Sequence, residues 1–216
     1  MVDSASQFEP PREPLQATLI GWGKEKVLFR VHEERFAANA FNESDSGNAR
    51  FSPIFDSSKQ LISTLYAGST LDCALMETVF HDVPYKAGMK TVSRSRLVDR
   101  VYSIVRLSQN IRLIDLGTIS LRKLGIPRNA LIDTTKAHYP RTRRWAEALH
   151  EQFEEAHGLH WTSRQDDQSQ AVVLFGDRMA SSDLTISSAP SALREEAQPI
   201  LPVFTLANRL GVLLID

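Results

Sequence analysis

Cysteine is nearly missing from this chain of 216 residues: the single one, Cys73, excludes an internal disulfide and any metal site built on paired thiols. Its apolar neighbours make it a packed thiol rather than a nucleophile. An excess of either charge is missing as well. With 25 Lys and Arg against 26 Asp and Glu the formal net charge is -1, so no global field draws the chain to nucleic acid or anionic lipid. Any anionic ligand must be held locally. Long hydrophobic runs are also absent, none approaching the roughly 18 residues of a membrane helix. Met1 to Phe8 has neither the basic nor the apolar region of an export signal. The expectation is a cytoplasmic protein with no membrane contact and no direct contact to nucleic acid.

Several catalytic signatures are lacking too. No Gly-x-Ser-x-Gly elbow occurs, which sets aside Ser69, Ser103 and Ser181 as hydrolase nucleophiles. Gly21-Trp22-Gly23-Lys24 lacks the spacing of a phosphate-cradling loop and reads as a turn. His150, His157 and His160 have no His-Glu-x-x-His spacing, so no metal site is expected and the three are taken as exposed or half-buried. Arg141, Arg143 and Arg144 precede Glu147, Glu151, Glu154 and Glu155 at helical spacing, which predicts a solvated face of internal pairs.

What is present is an ordinary globular composition, 42% hydrophobic and 24% charged, enough for one compact domain. Residues 1–14 carry Pro10, Pro11 and Pro14 and read as an irregular lead-in to a domain over 15–216. Strands are predicted at Val27 to His32, Arg50 to Ile54, Ser63 to Gly68, Val98 to Leu107 and Ile111 to Leu116. Further strands are expected at Leu159 to Ser163, Ala171 to Phe175, Leu184 to Ser187 and Gly211 to Ile215. Helices are predicted from about Leu71 to Asp82, capped by Ser69 or Thr70, over Ser120 to Leu124 ending at Gly125, and from Pro140 to a stop at Gly158. The segment from Leu193 to Leu210 is interrupted by Pro199 and Pro202. Many short strands with a few irregularly placed helices make an α+β domain rather than a doubly wound sheet.

One residue breaks the pattern. Glu77 stands in Leu71-Asp72-Cys73-Ala74-Leu75-Met76-Glu77-Thr78-Val79-Phe80, which otherwise reads as buried helix. A buried carboxylate costs several kcal/mol unless cations or donors compensate it. Arg30, Arg50 and Tyr66 lie upstream and are of compensating types, which makes the segment a candidate active site.

The ordered set Phe29-Arg30-Val31, Ala49-Arg50-Phe51, Leu65-Tyr66-Ala67, Ala74-Leu75-Met76-Glu77 and Trp161-Thr162-Ser163-Arg164 resembles the RES domain, from about Val27 to Ile215. Val173-Leu174-Phe175 and the terminal Leu210-Gly211-Val212 belong to the same pattern. That family supplies the toxin half of RES and Xre type II toxin–antitoxin pairs, degrades NAD+ and has a fold similar to that of ADP-ribosyltransferase toxins. The chain departs from it after Arg50: Phe51-Ser52-Pro53-Ile54-Phe55 replaces the usual aromatic-Asn with a glycine shortly after, and Asp56 to Ser63 lengthens the link to Tyr66.

The resemblance implies NAD+ as substrate, inorganic phosphate as an optional co-substrate, no prosthetic group or metal, and an Xre-type helix-turn-helix antitoxin as partner. Oligomeric state stays open, a homodimer included. Glu77 is then the catalytic carboxylate, with Arg50 and Tyr66 beside it, and Arg30, Arg50, Tyr66 and Ser163 bind NAD+. Arginine forks suit the pyrophosphate, a carboxylate suits the positive charge that grows on the ribose, and an aromatic ring suits nicotinamide. Ser163 would orient ribose or carboxamide. Hydrolysis, phosphorolysis, transfer of ADP-ribose to a protein, and a binding module without catalysis are the readings left open.

Overall fold

The computed structural model describes residues 8–11, 13–194 and 201–216. Most of the expected lead-in, residues 1–7 and 12, lies outside them, as do residues 195–200 of the proline-interrupted segment. In chain order the strands are β1 (Leu19–Trp22), β2 (Val27–Glu33), β3 (Ile54–Phe55), β4 (Leu61–Ile62) and β5 (Thr64–Gly68), followed by helix α1 (Leu71–Met76). Next come β6 (Lys90–Ser93), β7 (Arg100–Leu107), β8 (Ile111–Asp115), and helices α2 (Thr118–Leu124), α3 (Arg128–Leu131) and α4 (Tyr139–Gln152). The chain closes with β9 (Gly158–Thr162), β10 (Gln170–Phe175), β11 (Leu184–Ile186), β12 (Ser191–Ala192), α5 (Leu201–Arg209) and β13 (Val212–Ile215). This is a single α+β domain.

Among the described residues the main sheet runs β1-β8-β9-β10-β5-β2-β7-β11, with β12 also on β7. Only β8 and β9 pair in parallel within it. β7 and β8 are joined by three residues yet lie far apart in the strand order, and β1 and β2 behave alike. The sheet therefore curls so that its ends face each other. Trp22, Leu28, Leu65, Val105, Ile111, Leu113, Val172 and Leu174 fill the inside of that curl. Alternation along each strand sends the next residues to the outer face, which the helices cover.

Two further clusters sit on that outer face. One packs Trp145, Ala146 and Leu149 of α4 against Leu159, Trp161, Val173 and Phe175. The other packs α1 and α5, through Leu75, Met76, Val203 and Leu206, against Val31 and against Val92, Val212 and Leu214 of the parallel β6 and β13 pair. The candidate site lies where these clusters meet.

Local rules account for several element ends. Gly125 closes α2 in the left-handed region, φ 74°. Thr70 caps α1 by accepting from the Cys73 N–H at 3.1 Å. Other boundaries differ from expectation. The helix predicted to Asp82 ends at Met76, because Thr78 Oγ1 donates to the Ala74 carbonyl at 2.6 Å and the Phe80 N–H reaches back to Leu75 O. The helix predicted to reach Gly158 stops at Gln152, where Arg178 Nη1 satisfies the carbonyls of Phe153 and Ala156, both at 2.6 Å. Gly158 instead opens β9. The extended piece predicted over Arg50 to Ile54 reduces to the β3 end, with a turn at Arg50 and Phe51. Gly21-Trp22, expected as a turn, is the end of β1.

The basic cluster also differs. Arg144 pairs with Glu9 at 2.5 Å, Arg143 donates to Asn48 Oδ1 at 2.8 Å, and Glu147 accepts the Phe55 N–H at 3.0 Å. These side chains tie α4 to other segments rather than to itself. His150 and His160 are buried, each against a carboxylate, Asp177 at 2.8 Å and Asp115 at 3.1 Å.

Candidate active site

A cavity of about 370 Å³ opens between the two outer clusters, within the size of small-molecule sites. Its floor is sheet: Phe29 and Val31 of β2, Tyr66 and Gly68 of β5, Trp161 of β9 and Ala171 of β10. Its walls are α1 with the turn after it, the Asn48 to Arg50 segment, and the start of α4 at Tyr139.

Glycine at 68 decides how closely α1 sits. A Cβ there would stand 3.0 Å from the Ala74 nitrogen and from Cys73 Cβ and Sγ, so the helix lies on bare backbone. That close approach carries Glu77, the C-cap residue, to the cavity wall. Behind it Ser163, fully buried, donates Oγ–H to Glu77 Oε1 at 2.6 Å. Ser163 Oγ is fixed in turn by accepting the N–H groups of Gln165 and Asp166, at 3.0 and 3.2 Å. The carboxylate is thus held by a serine that is itself anchored to backbone.

Arg50 lies across the same cavity and is 5% exposed. Nη1 donates to Thr134 Oγ1 at 2.8 Å and to Leu131 O at 3.4 Å, and the guanidinium stands over the Tyr139 ring at 5.1 Å. Nε and Nη2 have no partner among the described residues. Burial lowers its pKa, while Tyr139 and Glu77 pull it back. No ion pair joins Arg50 to Glu77. Both charges are held from behind and left open in front.

Tyr66 turns its ring edge to Trp161, centroids 6.2 Å apart at 75°, and its hydroxyl accepts the Phe51 N–H at 2.9 Å. Burial raises its pKa. The phenol is therefore a neutral clamp on the Arg50 segment, and what it offers the cavity is aromatic surface. Burial lifts the Cys73 thiol to about 12, which matches its reading as a packed thiol.

Two of the residues expected at the site, Arg30 and Ser163, do not line this cavity. Arg30 lies on the other face of β2, because Phe29 and Val31 take the cavity face and the strand alternates. Its Nη1 donates to the carbonyls of Ala38 and Ala40 at 2.8 and 2.7 Å, stapling the loop after β2, and burial lowers its pKa to about 10. Ser163 does not line the cavity; it reaches it only through Glu77. Thr134, Tyr139, His81, Asp82 and Lys136 were not expected at the site. Tyr139 directly before Pro140 at a helix start was the one available signal, since that position fixes its ring at the end of α4.

The RES domain family model matches residues 27–193, most of the chain. The chain belongs to the RES domain family. No curated protein and no solved structure is similar enough to match. The family match contains Glu77, Arg50, Tyr66 and Ser163, and thus the whole constellation just described. Among the described residues no helix of this RES domain is long and apolar enough to cross a membrane.

Proposed function

We propose that this RES domain protein cleaves the nicotinamide–ribose bond of NAD+ and acts as a toxin. One observation carries the reading: a carboxylate and a guanidinium face one ligand-sized cavity, each braced from behind, with no ion pair between them. Opposite charges kept apart in this way suit a ligand that carries both developing positive charge and phosphate. The family's general association with NAD+-acting toxins points the same way.

Cleavage proceeds through charge. As the C–N bond breaks, the ribose gains oxocarbenium character, and Glu77 stabilises it more than it stabilises the ground state. Nicotinamide leaves neutral and needs no general acid. The open Nε and Nη2 of Arg50 bind a phosphate oxygen pair, and Tyr66 and Trp161 give the pyridine ring aromatic contact. Water completes hydrolysis, or inorganic phosphate completes phosphorolysis. The partner is a helix-turn-helix antitoxin of the Xre type, whose co-expression relieves growth arrest.

Nicotinamide release from NAD+, followed with and without phosphate, tests the proposal. Glu77→Gln should lower kcat by about a hundredfold or more while the fold persists. No release from the native protein under either condition overturns the assignment, and label from NAD+ left on a macromolecule would replace it with ADP-ribosyl transfer.

A further inference from the structure

A second cavity, about 380 Å³, adjoins the first and shares His81, Asp82, Lys136 and Tyr139 as its wall. The partition is an ion pair: Asp82 lies 3.1 Å from Lys136 Nζ, with the His81 ring nitrogen at 2.9 Å on its other side. Arg96 stands further off, at 3.7 Å. Side-chain exposures of 46% for Asp82 and 52% for Lys136 mean that neither is locked by packing. Beyond the partition Tyr85 is 88% exposed, its hydroxyl reaching only the Arg164 carbonyl at 3.4 Å. Arg164 itself donates to the carbonyl of Thr134 at 2.5 Å, the same residue whose Oγ1 anchors Arg50.

We infer that this second cavity seats the nucleoside diphosphate half of the ligand, with Tyr85 stacking on the base and Lys136 leaving Asp82 to take the pyrophosphate. The inference rests on the proposed function for the identity of the other half. Its chemistry is local. A large exposed aromatic beside a cavity offers a π-face on which any base can stack. A lysine is a flexible point charge that can swing from a carboxylate to a phosphate. In the unliganded state Asp82 neutralises Lys136 and divides the cleft. An entering pyrophosphate, with more charge than the carboxylate, displaces it and joins the two cavities.

Calorimetry with ADP reads this half alone, independently of bond cleavage. The native protein should bind ADP. Tyr85→Ala and Lys136→Gln should each weaken binding by about tenfold, and Asp82→Asn, which removes the competing carboxylate, should tighten it several-fold. Glu77→Gln should leave ADP binding unchanged while it lowers kcat for NAD+ about a hundredfold or more. Tyr85, Lys136 and Asp82 are exposed side chains, and unchanged thermal midpoints of these three variants would establish that folding is intact. Absence of ADP binding to the native protein, or binding indifferent to Tyr85 and Lys136, overturns the inference. Failure of NAD+ cleavage with these binding changes intact would overturn the proposed reaction instead.

Discussion

At the scale of residues, function in this protein depends on which atoms are already occupied. Glu77 spends one oxygen on Ser163, and Arg50 spends one nitrogen on Thr134 and Leu131, so each keeps a free edge toward the cavity. Ser163→Ala should therefore act twice. It strips the donor from Glu77 and leaves the N–H groups of Gln165 and Asp166 without their acceptor, costing about 1–3 kcal/mol of stability by denaturant unfolding. In the proposed reaction kcat for NAD+ should fall more than KM rises, since Ser163 acts through Glu77 and does not line the cavity. An unchanged kcat would separate Ser163 from the site. Arg30, by contrast, is a loop staple. Its alternation with Phe29 and Val31 was readable in the sequence, because flanking apolar residues on one face send the middle residue to the other.

Elements meet here through glycines. At Gly158 a Cβ would stand 2.1 Å from the Val173 carbonyl oxygen, a backbone atom that cannot turn aside. Gly158→Ala should force β9 from β10 and destabilise by about 3 kcal/mol, measured as a lowered urea midpoint. Because β9 carries Trp161 and leads into Ser163, the same change should loosen Glu77. The sequence marked most strands well: β2, β5, β7, β8, β9, β10 and β13 all fall where β-branched runs end at turn residues. Helix ends were less legible. α1 and α4 both stop early through distant or side-chain donors, Thr78 in one case and Arg178 in the other. Such donors have no signature at the position they terminate.

For the whole molecule, one pair, a buried histidine and a partly buried carboxylate, links the curled sheet to pH. Asp115, near the β8 terminus, accepts from His160 on β9, from Ser120 of α2 at 2.5 Å and from the Gly117 N–H at 3.0 Å. These donors, His160 first, hold its carboxyl at about 2, below the ordinary 3.8. The unfolded chain therefore binds this proton more readily than the native state does. The stability it contributes is complete above about pH 4 and is lost as pH falls toward about 2. Urea midpoints of the native protein and Asp115→Asn should differ at neutral pH and converge through that window. A constant difference would show that the pair does not carry the acid response.

Sequence alone determined the α+β class, the family and the order Arg50, Tyr66, Glu77, since strand alternation, glycine caps and a misplaced acid are local signals. Tertiary structure decided which of those residues share a cavity. It put Arg30 on the far side of β2, moved Ser163 behind Glu77, and brought Thr134 and Tyr139 to Arg50 from more than eighty residues away. It also separated β7 from β8, adjacent in the chain and distant in the sheet. The reason is physical: a hydrogen bond between distant residues depends on how the sheet curls and where two apolar clusters meet, and neither is encoded within a window of neighbouring residues.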